Sequence, residues 1–160
     1  MRLLIAAVGK LKDVEERAIC ARYAKRLAGS AKSISLSPLD IVELPESRKT
    51  EAAGRKADEA ERLLKSASDA NFTIALDAAG KAYDSDLFAE LLRTQRDSGA
   101  KLCAFLIGGP DGHGVAALDA ANITLSLGRL TMSHGLARVV LAEQLYRAAT
   151  IIAGHPYHRR

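Results

Sequence analysis

The sequence predicts an α/β fold, a mostly parallel sheet covered by helices on both faces. Short apolar runs of strand length alternate along the chain with longer stretches whose apolar residues recur every three or four positions. Apolar residues make up 48% of the chain but aromatics only 4%, and Trp is absent, so the core must be built from Ala, Leu, Ile and Val. No internal repeat or flexible linker interrupts the 160 residues, a length that suits one core, so a single domain over 1–160 is expected.

Residues 3–8 form a continuous apolar run that ends at Gly9-Lys10, which reads as a first strand and not a signal peptide. Residues 13–28 follow as a helix with Ile19, Tyr23 and Leu27 four apart on one face. A second strand is expected over 34–44. Pro38 cannot donate to a ladder and places that strand at an edge or bend. Residues 45–49 read as a loop, and 50–67 as an amphipathic helix carrying Ala53, Ala57, Ala60, Leu64 and Ala67 on one stripe.

A third strand is expected over 72–76, with Ala79-Gly80-Lys81 as a loop. Ser85 and Asp86 then offer caps to a helix bearing Leu87, Phe88, Leu91 and Leu92, which Gly99 stops. Residues 102–107 form a fourth strand and run into Gly108-Gly109-Pro110-Asp111-Gly112-His113-Gly114. A short helix over 115–121 and a fifth strand over 123–127 follow. After a loop at 128–133, the last helix runs from 134 to 153, ends at Gly154 and leaves a tail of His155-Pro156-Tyr157-His158-Arg159-Arg160. In sheets of this kind ligands collect beyond the carboxyl ends of the strands, which singles out the loops after Leu76, Ile107 and Leu127.

Composition narrows the function less than it narrows the fold. The net charge of +4 favours polyanionic partners but is common among unrelated enzymes. No stretch reaches the roughly 18 apolar residues that a bilayer span requires, so no membrane association is expected. Cys20 and Cys103 are far apart, and Cys103 lies in an apolar run, where a buried reduced thiol and a reducing, cytoplasmic compartment are the ordinary reading.

The glycine-rich loop after Ile107 is no P-loop, because no Gly-Lys-Ser/Thr follows. It also misses the Gly-x-Gly-x-x-Gly dinucleotide spacing, and Pro110 removes an N–H that an anion nest would use. A cofactor loop is the sharper reading and a wide turn the plainer one. His113 and His134 have no Cys or His partner at a ligand spacing, so no metal site is expected; surface or capping roles suffice for them. His134 and Arg138 share a helix face, as do Glu143 and Arg147, whose charges can simply pair. Tyr157 with Arg159 and Arg160 makes a short basic tail able to meet phosphate and stack on a base.

Several segments taken together resemble one family: Leu76-Asp77, Phe105 through Gly112, Leu125-Ser126-Leu127, Leu130-Thr131-x-x-His134, Glu143 through Ala148, and the tail from His155 to Arg159. It is the bacterial large-subunit ribosomal RNA pseudouridine methyltransferase family of the SPOUT superfamily. The match is ordered from about residue 72 to the end of the chain, and the pairing of the Gly-Gly-Pro loop with the Tyr-His-Arg terminus is its most specific part. Ser133 departs from the family pattern, which usually has proline before the histidine; a more mobile loop is the expected consequence.

That resemblance implies a C-terminal trefoil knot, which sequence reasoning alone would reject. It implies S-adenosyl-L-methionine as cofactor, held by Leu76, Gly109 and the loop Gly128, Arg129, Leu130, Thr131, Met132 and Ser133. It implies methylation of the N3 of a pseudouridine in 23S ribosomal RNA, on the ribosome, by a homodimer whose partner subunit completes the site. His158 and Tyr157 are the expected catalytic groups for removing the ring proton, and Arg138, Arg159, Arg160 and His134 the expected RNA contacts. The rival readings are a methyltransferase of the same superfamily acting on transfer RNA and a noncatalytic RNA-binding module.

Overall fold

The computed structural model describes residues 1–36 and 38–157, with the backbone alone at 31 and 32. Its elements are β1 (Arg2–Val8), α1 (Val14–Ala31), a 3-10 turn (Lys32–Ile34), β2 (Leu39–Leu44), α2 (Ala52–Ser66) and β3 (Phe72–Ala82). They continue with α3 (Ser85–Asp97), β4 (Leu102–Ile107), α4 (Val115–Ala120), β5 (Ile123–Ser126) and α5 (His134–Ile152). The five strands pair in the order β2-β1-β4-β3-β5, and every pairing is parallel.

Both faces of the sheet are covered, and the period of a strand decides which side chains go where. In β1, Leu3, Ile5 and Ala7 join a core on one face with Phe88 and Leu92 of α3 and with Leu141 and Leu145 of α5. The alternate residues Leu4, Ala6 and Val8 meet Ala60 and Leu63 of α2 and Ala117 of α4 on the other. In β4, Cys103, Phe105 and Ile107 likewise face one core, and Ala104 and Leu106 face the other. Leu3, Ile5 and Phe105 are wholly excluded from water, and such burial contributes about 1.5–3 kcal/mol for each large side chain. Cys20 and Cys103 are buried free thiols, and burial pushes the Cys103 thiol up to about 12.

The expected elements are all present, with three corrections. The second strand begins at Leu39, not at Ile34, because Lys32–Ile34 finishes the preceding helix as a 3-10 turn; the strand lies at a sheet edge as Pro38 suggested. The third strand does not stop at Leu76. Leu76 and Lys81 both oppose Leu125, so residues 77–80 are looped out and the strand resumes beyond them. Gly80 makes the return possible, since a Cβ there would lie 2.7 Å from the Thr124 carbonyl. The cap of α3 is Asp84, whose carboxylate accepts from the Leu87 N–H at 2.7 Å, instead of Ser85 or Asp86.

Among the described residues no helix is long and apolar enough to cross a membrane. None of the described His, Cys, Asp and Glu side chains form a group of three able to hold a metal ion.

Candidate functional site

The looped-out residues of β3, the turn after β4 and the segment after β5 all lie at the carboxyl end of the sheet, where they enclose one cavity of about 530 Å³. That volume lies within the range of small-molecule sites, roughly 300–1,000 Å³. Leu76, Ile107, Leu125 and Leu127 give it an apolar floor at the strand ends.

Each wall has a local cause. The Asp77 carboxylate accepts from the Ala79 N–H at 2.8 Å and rounds the bulge. The Ser126 hydroxyl lies 3.1 Å from the carbonyls of both Ala78 and Gly128 and accepts from the Gly128 N–H at 3.2 Å, tying the bulge to the segment after β5. Gly128 turns that segment with φ of 141°, a conformation other residues rarely adopt.

The turn after β4 is held from behind by α2. The Gly112 N–H donates to the Gly109 carbonyl at 2.9 Å, and Arg55 grips Asp111 through two nitrogens at 2.7 and 3.2 Å. That hydrogen bonding holds the Asp111 carboxyl below its ordinary range. Glu59, only 3% exposed, accepts from the Ser47 N–H at 2.8 Å. Its second oxygen would sit 2.6 Å from a Cβ on Gly109, so the loop approaches α2 this closely only because residue 109 has no side chain.

The third wall ends in α5. Ser133 is its N-cap, accepting from the Leu136 N–H at 3.1 Å, so the residue that replaces the family's proline orders this junction instead of loosening it. His134 stands beside Gly9, where an added Cβ would meet its Nε2 at 3.1 Å, and so joins the β1 end to the cavity rim.

Of the expected cofactor residues, Leu76, Gly109, Gly128, Leu130, Thr131, Met132 and Ser133 all line this cavity; Arg129 lies within the same segment but is not part of the lining. His134, expected at RNA, lines it too. Arg138 is a correction. It is wholly buried, with its guanidinium 2.5 Å from Glu43 Oε1 and donating to the Gly9 carbonyl at 3.0 Å, so phosphate has no access to it. The helix face it shares with His134 points inward, which a pattern of charge spacing cannot reveal.

Tyr157 is a second correction, because it is not at the cavity of its own chain. Its hydroxyl donates to Glu143 at 3.1 Å and its ring packs on Tyr146 with centroids 4.7 Å apart. Glu143 lies nine residues beyond His134, about 14 Å along the helix axis. Loss of hydration, and then hydrogen bonds with Tyr23 and Glu143, push the Tyr157 phenol up to about 12, so at neutral pH it is a donor and not a base. Glu143 also pairs with Arg147 at 2.6 Å, as the four-residue spacing predicts. His158, Arg159 and Arg160 lie outside the described residues.

Sequence reasoning missed Asp77 and His113 as parts of the site. Asp77 was within the matched motif, but only the bulge turns it to the cavity. His113 reads as a surface residue from sequence, yet it is 5% exposed and lines the cavity.

A family model described as predicted SPOUT methyltransferase matches residues 1–158. Two proteins named ribosomal RNA large subunit methyltransferase H, from Rhizobium leguminosarum bv. trifolii and Agrobacterium fabrum, are each 46% identical over 159 residues, covering 99% of both chains. One of the same name from Xanthobacter autotrophicus is 44% identical over the same span. Among solved structures, a probable methylase family protein from Haemophilus influenzae superposes with a TM-score of 0.56 at 13% identity, over 99% of this chain and 70% of that one. A probable methyltransferase from Bordetella pertussis gives 0.51 at 13% identity, over 92% and 95%; at such identities these two show the shared fold alone. The full-length family match and the near-complete alignment with those relatives lead to one conclusion: this chain belongs to the SPOUT methyltransferase family.

Proposed function

We propose that this methyltransferase uses S-adenosyl-L-methionine to methylate large-subunit ribosomal RNA at the N3 of a pseudouridine, acting as a cytoplasmic homodimer on the ribosome. The observation that carries the reading is the convergence of the three strand-end loops on a single cavity, in a chain whose relatives bear the name of a ribosomal RNA large-subunit methyltransferase.

The residues present fit that cofactor. The apolar floor suits a flat base, and the buried His113 offers ring nitrogens that no protein donor occupies. Asp77 is the one carboxylate among the described lining residues and favours a cationic ligand. When bound, the cofactor supplies a methyl group on a positively charged sulfur. The protein's task is to hold that carbon in line with a ring nitrogen, and rigid loops capped and tied as described supply such positioning.

The ring nitrogen must also lose its proton. In one chain the tail is docked on the far half of α5, so this reading requires the tail of the partner subunit to reach the cavity. His158 is then the better candidate for the base, with Arg159 and Arg160 at phosphate and His134 and Arg129 at the cavity mouth. The exposed Leu130 and Leu136 beside the cavity, at 83% and 46% exposure, favour coverage by a second copy. The knotted path that membership implies belongs to the same reading.

The test is transfer of a labelled methyl group from S-adenosyl-L-methionine to ribosomes lacking the modification. Label is expected in one large-subunit pseudouridine; label in transfer RNA instead would replace the substrate named here.

A further inference from the structure

The strongest unexplained group in the molecule is His113. It sits at the floor of the cavity, 5% exposed, and neither ring nitrogen has a hydrogen-bond partner of acceptable geometry. The polar groups nearest to it are the carbonyls of Leu76 and Leu106, which can only accept. A neutral imidazole carries one donor nitrogen and one acceptor nitrogen. Two carbonyls can therefore satisfy the donor and must leave the acceptor without a partner.

Protonation would let both nitrogens donate, but burial opposes it more strongly than Asp77 and the two carbonyls favour it, and Lys56 opposes it as well. The ring is held below its ordinary pKa and is neutral at physiological pH. A buried acceptor without a donor is costly, and structures keep such groups mainly where a ligand completes them.

Resting on the cofactor reading above, we infer that His113 is a specificity-determining residue that accepts a hydrogen bond from the exocyclic amino group of the cofactor's base. The surroundings select that group among the donors a nucleoside offers. Leu76, Ile107 and Leu125 around the ring form an apolar floor that a flat base fills, whereas ribose hydroxyls and an ammonium group keep their hydration better toward the rim. A base with a carbonyl in place of the amino group would set two acceptors against each other, so His113 discriminates adenine from hypoxanthine.

The experiment is a cycle of calorimetric titrations: the wild-type dimer and H113L, each with S-adenosylhomocysteine and S-inosylhomocysteine. The wild type is expected to prefer the adenine compound, and H113L to lose about five- to tenfold of that preference. H113L should also melt no lower than the wild type, because leucine removes an unsatisfied polar group; a histidine with a merely structural role would lower the melting temperature and leave the preference intact. An unchanged preference in H113L overturns the inference and leaves the cofactor reading standing. Failure of the wild type to bind either compound overturns both. Should H113L not fold, nitrogen NMR of ring-labelled wild type decides: the acceptor resonance of His113 is expected to move with S-adenosylhomocysteine and not with S-inosylhomocysteine, and equal responses overturn the assignment.

Discussion

Arg138 and Glu43 lie 95 positions apart in the chain and 2.5 Å apart in the fold, joining the middle of α5 to the edge strand β2. The arginine is wholly buried and also donates to the Gly9 carbonyl. Gly9 ends β1 and Glu43 accepts from the Leu11 N–H at 2.7 Å, so one guanidinium organises the whole β1–α1 turn behind the cavity.

Arg138→Ala should therefore act on stability. Breaking a buried pair by removing one partner costs about 3–5 kcal/mol. Glu43 keeps partial exposure, so the lower end is expected, read as a large drop in denaturant midpoint. A variant that melts normally and loses only RNA binding would return Arg138 to the surface role that its sequence spacing suggested.

Asp77 should distinguish a charged ligand from a neutral one. Asp77→Asn is expected to weaken S-adenosyl-L-methionine several-fold, about 1 kcal/mol, and to leave S-adenosylhomocysteine, which lacks the positive sulfur, much less affected. Equal losses for both ligands would mean that the carboxylate only shapes the bulge through its bond to Ala79.

Gly80→Ala tests the bulge itself. A Cβ 2.7 Å from the Thr124 carbonyl forces β3 and β5 apart, so both stability and cofactor affinity should fall. Affinity preserved alongside a lower melting temperature would show that the looped-out residues keep their shape without the return pairing.

Tyr157 makes a prediction in pH. Its folded pKa of about 12 is above the ordinary 10, so the folded state holds the proton more tightly. Its contribution is fully present below pH 10 and is lost as pH rises through 10 to 12, where the unfolded chain gives up the proton first. Thermal melts across that window should fall more steeply for the wild type than for Tyr157→Phe. Methyl transfer by Tyr157→Phe should show the same pH profile as the wild type between pH 6 and about 9, because a phenol held this high does not act as a base there.

The order of elements was legible because a period near two and a period near 3.6 are written directly into the apolar residues, as Leu3 to Val8 and Ala53 to Ala67 show. The bulge in β3 was not, since Ala79-Gly80-Lys81 carries an ordinary turn composition and the pairing of Lys81 with Leu125 is a long-range fact. The cofactor loops could be placed because a parallel sheet gathers its strand ends. The burial of Arg138 and His113 could not be, because charge and polarity predict exposure unless a partner 95 residues away is known. The tail was recognised by its residues but misplaced, since nothing local says that Tyr157 docks on Tyr146 and Glu143 instead of on the loops.

The central claim is that the three loops form the seat of the methyl donor. Calorimetric titration of the wild type and of Gly109→Arg with S-adenosyl-L-methionine tests it most directly, because the space beside residue 109 is already filled by Glu59 and Val8. The account predicts one binding event per subunit in the wild type and none in a variant that still melts cooperatively. Undiminished binding by a folded Gly109→Arg protein would place the donor elsewhere and contradict it.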